Sequence, residues 1–269
     1  MTTERPQSTF EHRAAAPGVD RARAFFRDIA FSPHRHDTYA VGYTTRGVQT
    51  FRYRGKGRYS LPGDVFVLHP DEVHDGRQGD DRGYGYRIAY IDPQRISEAL
   101  GDGSLPFVDL AACKRAELVD AIGGFFPDTA ENGDPLFEAG ALTRLADAMH
   151  ACSARLPYAK VDRPAMRRVR DHLLELAPRS VSMTELEVVH GFDRFSLARQ
   201  FRRAFGVSPH RFVTLRRLDI AMGHIRDGKS LADAALLSCF ADQSHMTRQF
   251  RGAFGLSPGR WRTLQSPAG

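Results

Sequence analysis

Arg199–Phe212 reads RQFRRAFGVSPHRF and Arg248–Trp261 reads RQFRGAFGLSPGRW. Ten of these fourteen aligned positions are identical, and the offset is 49 residues throughout. A period of that size marks a repeated supersecondary unit. Two copies are too few for a solenoid, so they describe two small helical modules doing one job side by side. The basic residues within each copy suggest what that job is.

The charge follows the repeat. From Arg163 to the end there are 18 Lys and Arg, nearly all Arg, against 9 Asp and Glu, a net of +9. The first 162 residues carry 20 and 23, a net of −3, and the two sum to the overall +6. Such asymmetry points to an anionic partner for the C-terminal half. Arg suits bidentate phosphate and guanine contacts better than Lys does. No apolar run approaches the roughly 18 residues of a membrane span, and the first residues have no apolar signal region. Cys113, Cys152 and Cys239 are few, odd in number and far apart. They read as reduced thiols of a cytoplasmic protein and not as a disulfide or zinc framework.

Around the repeat the local signals assemble into a pattern. Asp162 and Pro164 open a helix with Met166, Val169, Leu173 and Leu176 on its apolar face. Ser182-x-x-Glu185 is a capping box opening a short helix to about His190. Gly191-Phe192 turns the chain, Asp193 caps a helix over Arg194–Phe205, and Gly206 closes it. A short helix, a tight turn and a second helix make a helix-turn-helix, whose second helix enters a major groove. Ser208-Pro209 opens a long helix to about Arg226, with Phe212, Leu215, Leu218, Met222 and Ile225 on one face. Its nineteen residues span roughly 28 Å, a suitable spacer for two reading helices ~34 Å apart on B-DNA. The second unit repeats the first: Ser230-x-x-Asp233 caps Leu231–Ser238, Cys239-Phe240-Ala241 turns, Asp242 caps Gln243–Phe254, and Gly255 closes. Leu197, Phe201, Phe205, Met246, Phe250, Phe254 and Trp261 fall at core spacing.

The other half has a different texture. Residues 1–24 read as a flexible polar arm. From Phe31 to Asp92 short β segments alternate with Gly- and Asp-rich turns, as in an antiparallel sandwich or barrel. His34 and His36 lie one residue apart, so they share a strand face, and His74 follows a Pro62-Gly63-Asp64 turn. Three uses remain open for these histidines: backbone or water partners, contacts to an organic ligand, or metal ligation. A pocket lined by His34, His36, Tyr43, Arg52, His74 and Tyr86 is the candidate effector site. Helical segments follow at Pro93–Leu100, Lys114–Phe126 and Pro135–Leu156. In the last, Leu142, Leu145, Met149, Cys152 and Leu156 are spaced 3, 4, 3, 4, as in a coiled-coil seam. That seam fits either a dimer interface or a helix packed on its own barrel. Residues 157–163 read as a linker.

Leu231–Arg262, LADAALLSCFADQSHMTRQFRGAFGLSPGRWR, resembles the signature of AraC/XylS-type transcription regulators. The resemblance covers about the last hundred residues. His34-Arg35-His36-Asp37 and the later Pro62-Gly63-Asp64 and His74 resemble, more loosely, the motifs of the cupin barrel that such regulators use as a sensor. The cupin carboxylate ligand is missing: Ala40 and Val41 stand where it should fall. Cys239 replaces the family's turn glycine, and Met246 a phenylalanine. Gly252 stands where the first copy has Arg203, at a helix cost of about 1 kcal/mol relative to Ala.

The expected architecture is therefore α+β and multidomain. A cupin-like antiparallel β-barrel with flanking helices over 25–156 senses an effector and can dimerise. An all-α domain over 164–266 carries two helix-turn-helix units joined by a long helix. The resemblance and the helix geometry place base contacts at Arg194, Phe195, Ala198 and Arg199, and at Gln243, Ser244, His245, Thr247 and Arg248. For Arg194, Arg199 and Arg248 a brace within the module is the competing role. Arg202, Arg203, Arg211, Arg251 and Arg260 are candidates for phosphate. The expected function is a sequence-specific transcription regulator, an activator, needing no cofactor. Its partners are double-stranded DNA, a small-molecule effector, RNA polymerase and a second copy. The alternative is a metal-dependent cupin enzyme, using His34, His36 and His74, with a DNA-binding tail.

Overall fold

The computed structural model describes residues 8–101, 103–108, 116–126, 134–153, 161–177 and 182–265. The N-terminal half is built from β1 (Thr9–Ala16), β2 (Val19–Phe26), β3 (Phe31–His34), β4 (Tyr39–Gly47), β5 (Gln49–Tyr53), β6 (Lys56–Ser60), β7 (Val65–Leu68), β8 (His74–Gln78) and β9 (Tyr84–Ile91). All the pairings are antiparallel. A five-stranded sheet runs β1-β2-β9-β4-β7 and a four-stranded sheet runs β3-β8-β5-β6. Helices α1 (Pro93–Ala99), α2 (Ala116–Gly124) and α3 (Pro135–Ala151) complete this half.

Alternation along the strands divides the side chains between two cores. Tyr84, Tyr86 and Ile88 of β9 join Phe26, Phe51, Phe66 and Leu68 in the barrel interior. Their neighbours Ala89 and Ile91 join Tyr39, Val41 and Val67 on the outer face of the larger sheet, beneath α1, α2 and α3.

One expectation changes here and one open alternative is decided. Residues 9–24 are not a loose arm, because β1 and β2 form the edge of the larger sheet. The sequence DRARAFF hides this, since Arg21 sits on the helix-covered face of the sheet. Its guanidinium makes a bidentate pair with Glu138 of α3, at 2.7 and 2.8 Å, which permits burial of both charges. The seam of α3 is also accounted for within one chain. Leu142, Leu145, Met149 and Cys152 are all buried against the barrel, so this face is unavailable to a second copy. Leu156 and most of the expected linker lie outside the described residues.

The C-terminal half follows the local signals closely. It comprises α4 (Arg163–Leu176), α5 (Met183–His190), α6 (Arg194–Phe205), α7 (Pro209–Arg226), α8 (Leu231–Leu237), α9 (Gln243–Phe254) and α10 (Pro258–Gln265). The caps are the expected ones. Asp162, Ser182, Asp193, Ser208, Ser230 and Asp242 each accept from a backbone N–H of the first turn. Gly191, Gly206 and Gly255 end α5, α6 and α9 in the left-handed region. Each module closes its own core, around Leu197 and Phe201 in the first and Met246 and Phe250 in the second. Between them α7 runs 18 residues, roughly 27 Å.

Cys239 stands where the first module has Gly191, and it too is left-handed, at φ 57°. An L residue there carries steric strain that glycine lacks, partly offset by glycine's larger unfolded-state entropy. Cys239→Gly should therefore stabilise the second module by about 0.5–1 kcal/mol. A urea melt of the full chain checks the sign.

Candidate effector cavity and nucleic-acid interface

A cavity of about 470 Å³ lies inside the barrel and continues beneath α7, α9 and α10. That volume suits a drug-sized organic molecule. Its walls include Phe26, Phe31, Phe51, Phe66 and Ile88 from the barrel, and Leu215, Met222 and Leu264 from the helical half. A binding site shared by the two halves was not expected from the sequence. The available signal was weak: apolar residues at Phe212, Val213, Leu215 and Leu218 spread around α7, so the helix is buried on several sides.

His34, His36 and His74 do come together here. His34 and His74 are cross-strand partners of β3 and β8, with ring centroids 4.3 Å apart. His36 lies 4.9 Å from His74 and 6.4 Å from His34. Each ring is held through Nδ1 by a backbone carbonyl: Ser32 O at 2.8 Å, Thr38 O at 2.9 Å and Glu72 O at 3.0 Å. A carbonyl only accepts, so each neutral ring carries its proton on Nδ1 and leaves Nε2 as an acceptor. Burial, and then repulsion by His74, holds His34 down at about 3. The same two causes, with His34 added, keep His36 well below its ordinary value, and burial lowers His74. His69 is separate. It is buried outside the cavity and bonds Tyr53 Oη and the Val108 N–H.

Two of the six expected lining residues are elsewhere. Tyr43 shares the strand parity of Tyr39 and Val41, so it points to the helical layer and packs edge-on against Phe126. Arg52 lies between the inward Phe51 and Tyr53, so it faces solvent. Tyr86 lines the cavity as expected. Ala40 and Val41, where a cupin carboxylate would fall, are fully buried in β4. Among the described residues no three His, Cys, Asp or Glu side chains form a group able to hold a metal ion.

The polar end of the cavity carries groups the sequence did not reveal. Arg216 of α7 donates to Asp37 at 2.7 Å and pairs with Asp219 at 3.3 Å. Asp20 and Asp92 border the same space. Burial, and the nearby Asp37 and Asp20, push Asp219 up to about 6, against the opposing pull of Arg216. Its side chain is still 46% exposed; since Asp219 lines the cavity, confinement there explains a shift that open solvent would not allow.

On α6 and α9, Phe195 is 75% exposed, and Arg199, Gln243, Ser244 and Arg248 are also exposed. His245 is half-buried edge-on to Phe240, and Ala198 and Thr247 are half-buried. Arg194 is tied to Glu187 by two bonds of 3.2 Å, which is the bracing role. Among the phosphate candidates Arg203, Arg251 and Arg260 are exposed. Arg202 pairs with Asp71 of the barrel at 3.1 Å. Arg211 donates to Arg35 O at 2.6 Å and Gly252 O at 3.2 Å. Both therefore have partners on the barrel.

A family model for an AraC-like ligand binding domain matches residues 16–157, and a helix-turn-helix domain model matches residues 188–263. An uncharacterized HTH-type transcriptional regulator of Bacillus subtilis, YbfI, is 25% identical over 223 residues, 80% of this chain and 81% of that protein. The fold is similar to apo ToxT from Vibrio cholerae, with TM-score 0.62, 12% identity and coverage of 94% and 100% of the two chains. It is equally similar to ToxT bound to an unsaturated fatty acid, with TM-score 0.61, 14% identity and 99% coverage of each.

The histidines make folding pH-dependent in a defined direction. The unfolded chain binds protons at the ordinary 6.5 while the folded chain resists them. Stability is full above that value and falls as pH drops below it. The fully buried pair His36 and His74 should each contribute a slope of up to about 1.4 kcal/mol per pH unit. Thermal melts of the full chain between about pH 7.5 and 5.5, one unit either side of the ordinary value, check this, and His74→Gln should flatten the slope.

Proposed function

The chain belongs to the AraC-type family, a ligand-binding domain joined to helix-turn-helix units in a DNA-binding transcription regulator, and from that premise we propose how ligand and DNA are coupled. The ligand occupies the cavity shared by barrel and helices. ToxT, which has the same fold, has been solved with an unsaturated fatty acid bound; by that likeness a small organic molecule is the effector here. The protein acts in the cytoplasm as an activator that contacts RNA polymerase, and a second copy pairs through a surface other than the α3 seam. No catalytic step is assigned to it.

One observation carries the coupling. Strand β3 and the residue that follows it serve both sites at once. Phe31 and His34 line the cavity, while the Ser32 and Arg35 N–H groups donate to Gly255 O and Gly252 O at 3.0 and 3.1 Å. Those carbonyls end α9, where a helix leaves acceptors unsatisfied. A ligand that displaces His34 therefore displaces the anchor of a DNA-reading helix. The docked state also withholds Arg202 and Arg211 from phosphate, so it is the weaker DNA binder. Undocking restores two cations, and each phosphate neutralised steepens the salt dependence by about one.

DNA is read by α6 through Phe195, Ala198 and Arg199, with Arg194 released from Glu187 on contact, and by α9 through Gln243, Ser244, His245, Thr247 and Arg248. The two helices differ in side chains, so the operator consists of two unlike elements about one helical turn apart. Gln243→Ala removes a bidentate adenine contact, and in a gel shift specific affinity should fall by about tenfold with the melting temperature unchanged. An unaltered shift would remove α9 from the reading surface.

The coupling has its own check. Asp71→Asn keeps a residue tolerant of the left-handed backbone found there, at φ 61°, but releases Arg202. Operator affinity without ligand should rise severalfold, and the slope of log affinity against log salt should steepen by about one. A slope that does not change would mean that Arg202 contacts no phosphate.

A further inference from the structure

We infer that the effector is an organic cation with an aromatic body, an arylalkylamine in chemical class, bound with its ammonium among the carboxylates at the domain junction. The inference rests on the regulator function proposed above and specifies its ligand. Five carboxylates line the cavity, from Asp20, Asp37, Asp75, Asp92 and Asp219, against two guanidinium groups, from Arg216 and Arg226. Arg216 is shared between Asp37 and Asp219, while Arg226 is exposed and stacks over Trp261 at 5.2 Å. With five carboxylates against two guanidiniums, one of them held between two aspartates, an anionic ligand would meet a net negative wall.

The remaining polar groups suit a hydrogen-bond donor. The three imidazoles spend their Nδ1–H on backbone carbonyls and keep Nε2 as acceptors. His36 is also edge-on to Tyr90 at 5.4 Å, and Tyr90 lies two residues from Asp92. Imidazole acceptors, a phenol and carboxylates are thus gathered at one end of the cavity. Two carboxylates brought together without full neutralisation repel one another, and a ligand ammonium relieves that repulsion.

A second, independent feature indicates an occupant. Tyr84 is fully buried and its hydroxyl has no hydrogen-bond partner, yet it borders the cavity. A buried hydroxyl without a partner is costly, and a ligand polar atom would remove that cost. Around it Phe26, Tyr84 and Tyr86 form an aromatic cluster, with ring centroids 5.9–6.0 Å apart. Aromatic faces attract cations and accommodate an aryl group.

The test compares three ligands of equal length that differ in charge: phenylbutylamine, phenylbutanol and phenylbutyrate, titrated calorimetrically into the full chain at neutral pH. The amine should bind at least about tenfold more tightly than either partner. Asp219→Asn should weaken the amine by about fivefold or more, while the alcohol changes by less than about twofold. Tyr84→Phe, which alters no charge and lies in the aryl pocket away from the carboxylates, should keep the preference for the amine over the other two ligands and leave the melting temperature of the free chain unchanged or higher. Phenylbutyrate binding as tightly as the amine overturns the inference. So does the absence of heat with all three, or an amine affinity indifferent to Asp219→Asn. A gel shift on the same preparation separates the two levels. Operator binding without amine binding overturns the cation alone; amine binding without any sequence-specific DNA binding overturns the regulator function while the cation site stands.

Discussion

Helices α6 and α9 both end against the barrel, and the rest of the arrangement depends on that contact. A Cβ at Gly206, which closes α6, would lie 2.5 Å from Pro70. A Cβ at Gly255, which closes α9, would lie 2.7 Å from His34 Nδ1 and 3.0 Å from Ser32 O. Each glycine is thus required twice. It supplies the left-handed backbone that ends a helix, and it leaves room for the barrel to approach. Close approach lets β3 satisfy the terminal carbonyls of α9, brings α7 over the open end of the barrel, and makes the cavity a property of both halves.

The junction is polar, and its polarity limits how tightly it is held. Asp71 pairs with Arg35 and Arg202, Asp37 pairs with Arg216, and Arg163 donates to Ser97. Partly exposed pairs of this kind contribute at most about 1 kcal/mol each. A junction built from several such contacts and two strand-to-helix hydrogen bonds can be opened by a ligand of ordinary affinity. An apolar junction of the same size would not have that property. Specificity of seating and ease of release therefore come from the same residues.

The barrel shows how far parity alone can be read. On β5, Phe51 and Tyr53 had to face inward, so Arg52 could not, and the same reasoning sends Tyr43 away from the cavity. Both exclusions are contained in the sequence once one residue of each strand is assigned a face. What hid β2 was the buried pair Arg21–Glu138, which places a charge on the helix-covered face and breaks the apolar alternation. Its two members are 117 residues apart, and nothing local links them.

Taken by itself, the sequence determined the DNA-binding half almost residue for residue. The bounds of α6 and α9, their aspartate caps and their closing glycines are set by interactions within a few residues, where local physical chemistry is decisive. It also set His34 and His36 one residue apart, although β3 ends at His34 and His36 lies beyond it; that His74 pairs with His34 came from the fold. Only the tertiary structure decided what surrounds them. Asp37 meets Arg216 across 179 residues, Arg202 and Arg211 bond to the barrel, and α7 and α10 complete a cavity that the strands leave open. Those outcomes depend on the relative seating of two folded bodies, a long-range balance of packing and charge that no local pattern encodes.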